Sequence, residues 1–271
     1  MNKIAVFVLL SIVFFQYSCK KSNPEPDKDI QSIVDNTLAD NVLQDVFITL
    51  NNYANNYLTN NSSKIDTVPI VTISPQYPLD SFPKTMQIDY RDGINCSDGK
   101  LRKGKIIATV YSFWNLSEND SMSVELVDFT IDSINVNSNI VIKFIGDTTN
   151  MKYDFKTSNC IFSFNNGENF QIHSNKTINY ISGFKTTNDL SDDIFLIDGE
   201  SNGINRKQIG FEANIISSIK YVSQCYGGTI TQGKLEIIPQ DATKRVVDFG
   251  EGNCDKIVNI TINGISFEIE L

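Results

Sequence analysis

The spacing of apolar residues changes once along this chain, from a helical period to an alternating one. From residue 30 to residue 61, apolar side chains recur every four positions, which predicts one long amphipathic helix or a helical hairpin. The row consists of Ile30, Val34, Leu38, Val42, Val46, Leu50, Ala54 and Leu58. We expect the apolar side of this helix to cover one face of a sheet.

A connector containing four prolines, residues 62–84, separates the helical pattern from an alternating pattern that runs through residues 85–271. Asn166-Gly167 and Asn263-Gly264 are strong hairpin turn signals within this second region. The alternating runs are Thr85–Tyr90, Lys105–Phe113, Ser123–Val136, Asn139–Phe144, Ile161–Phe164, Asn169–Asn175, Ile178–Phe184, Asp193–Asp198, Gln208–Ala213, Ile219–Cys225, Gly228–Ile238, Arg245–Phe249, Lys256–Ile262 and Ile265–Leu271.

No helical pattern interrupts these runs, so the sequence predicts a mainly β fold. We expect an antiparallel meander that forms a sandwich or an open barrel, with the N-terminal helix packed on it. The segments Ile88–Cys96 and Val247–Cys254 each contain an apolar strand end, a carboxylate with glycine in a turn, and a cysteine. Such an echo suggests equivalent places in two related halves of the β domain.

The N-terminus contains a targeting signal. After Met1–Lys3, the apolar run Ile4–Phe15 is too short to span a bilayer, which takes about 20 apolar residues. The run ends in Gln16-Tyr17-Ser18-Cys19, which resembles a loosened bacterial lipobox of the kind found in Bacteroidota lipoproteins. The resemblance implies that residues 1–18 are a signal peptide. It also implies a diacylglycerol on the Cys19 sulfur and a third acyl chain on the new amino group.

Several acyl chains make membrane anchoring effectively permanent, because each buried methylene contributes about 0.8 kcal/mol. Lys20 follows the lipidation site, where an aspartate would resemble an inner-membrane retention signal, so we expect delivery to the outer membrane. Residues 19–29 are charged and contain proline, as in a flexible tether. The sequence does not distinguish the periplasmic face from the cell surface.

Acidic residues outnumber basic ones, 32 to 23, and the formal net charge is −9. This balance disfavours nucleic acid as a partner, which needs a clustered basic patch. The densest basic segment consists of Lys100, Arg102, Lys103 and Lys105, and we expect it to be a solvated strand edge. The expected partners are therefore the membrane, through the anchor, and a protein or a glycan.

Four cysteines follow Cys19, and an oxidising envelope compartment favours structural disulfides over zinc, since no short C-x-x-C spacing occurs. The four allow three complete pairings. A strand register that continues past a turn near Asp241 brings Cys254 toward Cys225, which favours the pairs Cys225–Cys254 and Cys96–Cys160.

The segments FPKTMQIDYRDGINCSDGKLRKGKIIATV and KRVVDFGEGNCDKIVNITINGISFEIEL, together with the preceding helix, resemble a group of uncharacterised Bacteroidota lipoproteins. The resemblance covers most of the chain after the signal peptide. It implies one N-terminal helix and a large β region, and it implies no activity and no site residues.

Candidate catalytic and metal-binding residues are few. Asp89, Asp92, Asn95 and Asp98 form an oxygen-rich loop of the kind that a hard cation prefers, but the same residues suit an ordinary β-turn, which we favour. We expect no metal and no other cofactor. The similarity between the segments Ile88–Cys96 and Val247–Cys254 makes Asp89 and Asp248 a candidate carboxylate pair for glycan hydrolysis. His173, the only histidine, lies in an alternating run and is expected to be a sheet residue.

Tyr111, Phe113 and Trp114 end a predicted strand just before a polar loop. Exposed aromatics there suit a binding surface, whereas burial makes them part of the core.

The leading hypothesis is a non-enzymatic binding or structural module of the envelope, and enzymatic activity is not favoured. A deep cleft with two facing acids would instead indicate a carboxylate-dependent glycan hydrolase, and a dry cavity between helix and sheet would indicate a carrier of an apolar ligand.

Overall fold

The computed structural model describes residues 27–59, 69–76, 78, 80–186 and 189–271, with only the backbone of Tyr57 and Thr59. The predicted signal peptide, Cys19 and most of the predicted tether lie outside these residues. No helix within the described ranges is long and apolar enough to cross a membrane.

One long helix opens the described chain, as the apolar period predicts. Helix α1 spans Gln31–Ala54 and continues into a π-helical turn, Asn55–Thr59. At its start the Asp29 carboxylate accepts a hydrogen bond from the Gln31 amide at 2.9 Å. A carboxylate at this position satisfies a free amide of the first turn and interacts favourably with the helix dipole.

Fourteen strands follow, and they form one open, unclosed sheet. They are β1 (Ile70–Ser74), β2 (Lys84–Asp89), β3 (Ile94–Asn95), β4 (Leu101–Val110), β5 (Ser121–Ile131), β6 (Ile134–Phe144), β7 (Met151–Ser163), β8 (Asn169–Ser182), β9 (Ile194–Ile204), β10 (Gly210–Val222), β11 (Thr229–Pro239), β12 (Arg245–Glu251), β13 (Ile257–Ile262) and β14 (Ile265–Glu270).

The sheet is an antiparallel meander, as predicted. Each strand pairs with its sequence neighbours, except that β3 pairs only with β4, and β2 therefore lies directly beside β4. Strands β1 and β14 form the two edges. At the β13–β14 turn Asn263 and Gly264 have φ of 52° and 76°, the left-handed conformations that a two-residue hairpin requires.

Several strand boundaries differ from the prediction. Strand β1 lies inside the predicted connector, and the predicted run Ser123–Val136 is divided by a tight turn at Asp132 and Ser133. Strand β8 is continuous where two runs were predicted, because Ser174 and Lys176 face the inner, buried side of the sheet. Polar residues on the inner side interrupt the apolar alternation from which strands are recognised.

The sheet curls around α1. The β3–β4 turn and the β10–β11 turn are far apart in strand order, yet the Lys100 ammonium donates a hydrogen bond to the Gly227 carbonyl at 2.9 Å. Consequently α1 is buried on its polar side as well as its apolar side. The expectation that the helix covers one sheet face with its apolar side is too simple, since polar inner strand residues enclose the other side.

The core lies between α1 and the concave face of the sheet. The Phe47 ring stands on the helix and makes edge contacts with Tyr153 at 4.9 Å and Phe195 at 5.9 Å between ring centroids. Aromatic pairs in this arrangement contribute about 0.5–1.5 kcal/mol beyond the area that they bury. The helix is therefore the centre of the core rather than a cover added to a complete sheet.

Candidate functional site

The candidate site is a groove of about 790 Å³ beside the C-terminal half of α1. Its described walls are the helix from Asp45 to Asn56, the β2–β4 region from Tyr90 to Arg102, the loop at Asp189–Ser191, and the β10–β11 turn from Tyr221 to Gly227, with Pro69 at one end. We call this the helix-end groove. Its volume lies within the range of roughly 300–1,000 Å³ that is typical of small-molecule sites.

A cluster of four charged groups lies at one wall of the groove, and three of them, Asp45, Asp98 and Arg102, line it. The Arg102 guanidinium donates to both Asp45 oxygens, with Nε at 3.1 Å from Oδ2, and Nη1 donates to Asp98 at 3.0 Å. The Lys100 ammonium donates to Asp45 at 2.9 Å. Two carboxylates and two cations thus form a four-charge cluster that is neutral overall. Its side chains are largely buried, with Arg102 5% exposed and Asp45 6% exposed.

Pairing within the cluster shifts the pKa values of Arg102 and Asp98. Burial alone would lower the pKa of the Arg102 guanidinium, but the hydrogen bonds and charges of Asp98 and Asp45 raise it well above its usual value. Burial alone would raise the pKa of the Asp98 carboxyl, and the hydrogen bond and charge of Arg102 hold that pKa below its ordinary range. The Asp98 carboxylate is therefore a structural charge rather than an acid or base poised for proton transfer.

Sequence reasoning missed this cluster because it predicted a solvated edge for Lys100 and Arg102. The missed signal is the series Asp35, Asp40 and Asp45, the only charged residues of α1. Successive members are rotated by roughly 140° around the helix axis, so a sheet on one side of α1 could not pair all three. A sheet that encloses the helix can do so. Asp35 meets Arg206 at 2.7 Å and Asp40 meets Lys176 at 3.3 Å.

Neutral polar side chains line the rest of the groove. Thr49, Asn95, Ser97 and Gln224 have no side-chain hydrogen-bond partner within the described part of the chain. The Ser223 hydroxyl is buried and also has no partner there. Solvent-accessible polar side chains without a protein partner, at the wall of a cleft, can exchange bound water for hydrogen bonds with a ligand.

A buried carboxyl supports one rim of the groove. Asp193 is 1% exposed, its side chain accepts a hydrogen bond from the Tyr180 hydroxyl at 2.5 Å, and its carbonyl accepts one from the Ser223 amide. Burial raises the pKa of the Asp193 carboxyl to about 7; the Tyr180 hydrogen bond opposes this rise, and the charges of Asp192 and Asp189 add to it. This loop supplies the groove residues Asp189 to Ser191.

Replacing Asp193 with asparagine should change how stability depends on pH. The folded pKa of about 7 lies above the ordinary value of 3.8, so the stability that the protonated carboxyl contributes is present in acid and lost as pH rises through 7. We therefore expect the melting temperature of Asp193→Asn to exceed that of the parent by a few degrees above neutral pH, with the difference vanishing in acid. Thermal unfolding across this pH range measures it.

Asp147→Asn is the matched control, because Asp147 does not contribute to the pKa of Asp193. Hydrogen bonds from the Thr149 side chain and amide, and from the Asn150 amide, hold the pKa of the Asp147 carboxyl below its usual value, so its contribution is lost only in acid. Its substitution should leave the slope of stability against pH near neutrality unchanged. An Asp193→Asn variant with the parent's slope there would contradict the raised pKa.

The four cysteines that the structure describes form one disulfide. Cys225 and Cys254 are bonded, as the register argument predicted. Cys96 and Cys160 are free, so the predicted second bond is not formed. Cys96 follows β3 and lines the groove, whereas Cys160 is fully buried in β7, where burial raises the pKa of its thiol to about 12.

The aromatic segment divides into a buried and an exposed part. Trp114 is fully buried, and its indole nitrogen donates to the Asn51 side chain at 2.9 Å, so it belongs to the core and not to a binding surface. Tyr111 is 52% exposed and Phe113 is 37% exposed, with the Phe113 ring against Phe82 at 5.0 Å. The exposed pair lies apart from the residues that line the groove.

The oxygen-rich loop does not assemble a metal site. The Asp98 carboxylate is bound by Arg102, and the Asp89 carboxylate accepts from the Arg91 amide at 2.8 Å and faces Lys105. No group of three or more histidine, cysteine, aspartate or glutamate side chains placed to hold a metal occurs among the described residues. The Asp98 and Asp89 carboxylates are thus both engaged by cationic side chains.

The echoed carboxylates occupy equivalent positions, but they do not face each other. Asp89 accepts a hydrogen bond from the amide two residues ahead and pairs with Lys105 on the adjoining strand; Asp248 does the same with Gly250 and Lys234. Both alternate with buried neighbours, so both point to the outer face of the sheet. This placement does not fit the two opposed acids of a glycosidase.

His173 is a half-buried strand residue, as expected, and its Nδ1 accepts a hydrogen bond from the Asn159 amide at 3.2 Å.

A cavity between α1 and the sheet is lined by Leu43, Phe155 and several isoleucines, with Gln44 and Ser174 at its polar side. Its volume of about 20 Å³ accommodates a single water molecule and not an apolar ligand.

Comparison of the chain with protein-family models, with curated proteins and with solved structures finds no significant match. The candidate function therefore depends on the geometry of the groove and on the N-terminal sequence.

Proposed function

We propose that this protein is a lipid-anchored envelope protein, of the Bacteroidota lipoprotein type, that binds a ligand in the helix-end groove without catalysing a reaction. The observation that carries the proposal is a groove of ligand size in which Asp45, Asp98 and Arg102 pair with one another, while several neutral side chains of its described walls, Thr49, Asn95, Ser97 and Gln224, have no protein partner. Binding needs unsatisfied hydrogen-bonding groups, and catalysis by carboxylates needs acids whose protonation can change.

The described part of the chain favours binding over the two alternative functions. A glycan hydrolase would need two facing acids, whereas Asp45 and Asp98 are held by the same arginine. An apolar carrier would need a cavity much larger than the 20 Å³ between helix and sheet. Enlarging that cavity would separate α1 from the sheet and leave Asp40 and Lys176 as buried charges without partners, which is strongly unfavourable.

The position of the groove suits a protein tethered at Cys19. The described chain begins beside Arg245, whose Nη2 donates to Asp27 at 2.7 Å, and beside Lys207, which pairs with Asp29. The helix residues of the groove begin at Asp45, roughly 20 Å farther along α1 by the helical rise. A tether that leaves near Asp27 therefore places the groove at the end of the molecule away from the bilayer.

Intact mass of the protein extracted from membranes tests the anchor. We expect a chain that begins at Cys19, carries three acyl chains, and gains the mass of two hydrogens on reduction because it contains one disulfide. A chain that begins elsewhere, or that carries no acyl group, would overturn the proposed envelope anchor. It would leave the proposal of a ligand site in the groove unaffected.

Protection of Cys96 from a thiol reagent tests the binding function. Cys96 lines the groove, and cleavage after Arg91 and Lys100 by trypsin isolates it in one peptide. Neutral hexose oligosaccharides, uronate oligosaccharides, short peptides and fatty acids serve as probes. At least one probe class should slow the labelling of Cys96 while the buried Cys160 stays unlabelled. No protection by any class would overturn the groove as a ligand site.

A further inference from the structure

We propose that the ligand of the helix-end groove is a neutral, hydroxyl-rich molecule of the oligosaccharide class. The proposal depends on the proposed function, because it takes the groove as the ligand site and names what that site recognises. Three properties of the described walls point to this class: their charge, their unsatisfied hydrogen-bonding groups and their mixture of polar and apolar surface.

Charge excludes an anionic ligand. The charged residues among the described lining are Asp45, Asp98, Arg102 and Asp189. The single cation among them, Arg102, already donates to two carboxylates, and the neighbouring Lys100 donates to Asp45 and to the Gly227 carbonyl. A phosphate or a uronate entering the groove would find no unpaired cation among its described walls and would meet the negative charge of Asp189.

Hydrogen bonding excludes a purely apolar ligand. Thr49, Ser97 and Gln224 would lose their water on contact with a hydrocarbon and gain no hydrogen bond in return. Each of these side chains both donates and accepts. A hydroxyl group also does both, so a ligand with several hydroxyls can satisfy all three side chains whichever way it presents them.

The apolar part of the lining suits the other property of a sugar ring, which is an apolar C–H face. Ile94 and Leu190 line the groove, and Tyr90 and Tyr221 add aromatic side chains to the lining. Rings and branched side chains of this kind pack against C–H groups while the surrounding polar side chains bind hydroxyls.

A peptide is the competing occupant, and the walls fit it less well. Extended peptides are held mainly through main-chain hydrogen bonds to a free strand edge. The strand at this groove, β3, has only two residues. The remaining walls are helix side chains and turns, so an extended peptide would find few strand-edge main-chain groups to pair with here.

The test compares neutral and acidic oligosaccharides of equal length in the Cys96 protection assay and by calorimetric titration of the purified protein. Maltohexaose, cellohexaose and mannohexaose are the neutral probes, and a hexagalacturonate is the acidic probe. We expect at least one neutral probe to bind and to protect Cys96, and the hexagalacturonate to do neither.

Side-chain substitutions then place the bound probe. Thr49→Val, Ser97→Ala and Gln224→Leu each remove hydrogen-bonding atoms from the groove with little change in volume. Each should weaken neutral-probe binding by about 2- to 10-fold, the effect of one lost hydrogen bond. The matched control is Gln240→Leu, an exposed glutamine in the β11–β12 turn outside the groove, which should leave affinity unchanged.

The outcomes separate this inference from the function on which it depends. Protection of Cys96 by the hexagalacturonate or by a peptide, and not by neutral probes, overturns the ligand class while the groove stays a ligand site. Neutral-probe binding that leaves Cys96 unprotected and is insensitive to the three substitutions places the sugar elsewhere and overturns the inference as well. Absence of protection by every probe class overturns the proposed function itself.

Discussion

Replacing Arg102 with methionine should lower the free energy of unfolding by about 3–5 kcal/mol, the usual cost of removing one partner from a buried ion pair. Methionine keeps most of the length of the side chain but no charge. Asp45 would keep only Lys100, and Asp98 would keep only the Lys100 amide. The loss is large because two carboxylates that are mostly shielded from water would have to be rehydrated or protonated. Urea unfolding of the parent and the variant measures it.

Lys105→Met is the matched control. Lys105 lies on the same strand, β4, and pairs with Asp89 at 3.5 Å, but its side chain is 42% exposed. Exposed pairs contribute about 0–1 kcal/mol, so the free energy of unfolding of this variant should be close to that of the parent.

Adding Asp45→Asn and Asp98→Asn to Arg102→Met should recover part of the stability by removing the two carboxylates that lost their arginine partner. Equal effects of Arg102→Met and Lys105→Met would show that the cluster does not hold the helix in place.

The mainly β meander and the long helix were predictable because they depend on period and on turn chemistry, which are local properties. The Asn263-Gly264 hairpin is the clearest case, since both residues adopt the left-handed conformation that their types favour. The Cys225–Cys254 bond was also predictable, because it follows from the register of neighbouring strands.

The groove and the charges inside the fold were not predictable from local patterns. They arise because the sheet curls until the β3–β4 turn meets the β10–β11 turn, a contact between residues more than one hundred positions apart. Once the sheet encloses α1, the inner strand positions opposite its polar side must themselves be polar. Arg102 and Lys176 therefore resemble surface residues in sequence while being buried in the structure.

The same reasoning applies to Asn51, a buried polar residue of α1 that follows Leu50 of the apolar row. Its side-chain oxygen accepts hydrogen bonds from Trp114 Nε1 at 2.9 Å, Asn115 Nδ2 at 3.1 Å and the Tyr153 hydroxyl at 3.2 Å. One buried acceptor thus joins α1 to β7 and to the loop after β4. Sequence reasoning placed Trp114 among binding candidates because nothing local indicates an asparagine partner 63 residues away.

Asn51→Leu should therefore lower the free energy of unfolding by about 3 kcal/mol or more. Leucine has a similar volume but no acceptor, and each buried donor that loses its partner costs about 1–3 kcal/mol. Trp114 is the only tryptophan, so its fluorescence should report both the altered surroundings of the indole and the unfolding transition. Denaturant unfolding followed by this signal measures the loss.

Asn41→Leu is the control on the same helix. The Asn41 side-chain oxygen is buried without a partner among the described residues, so leucine there removes an unsatisfied atom instead of a shared acceptor. This variant should be as stable as the parent or slightly more so. If both substitutions cost the same, the penalty would come from placing leucine in α1, and the three hydrogen bonds to Asn51 would not be what joins the helix to the sheet.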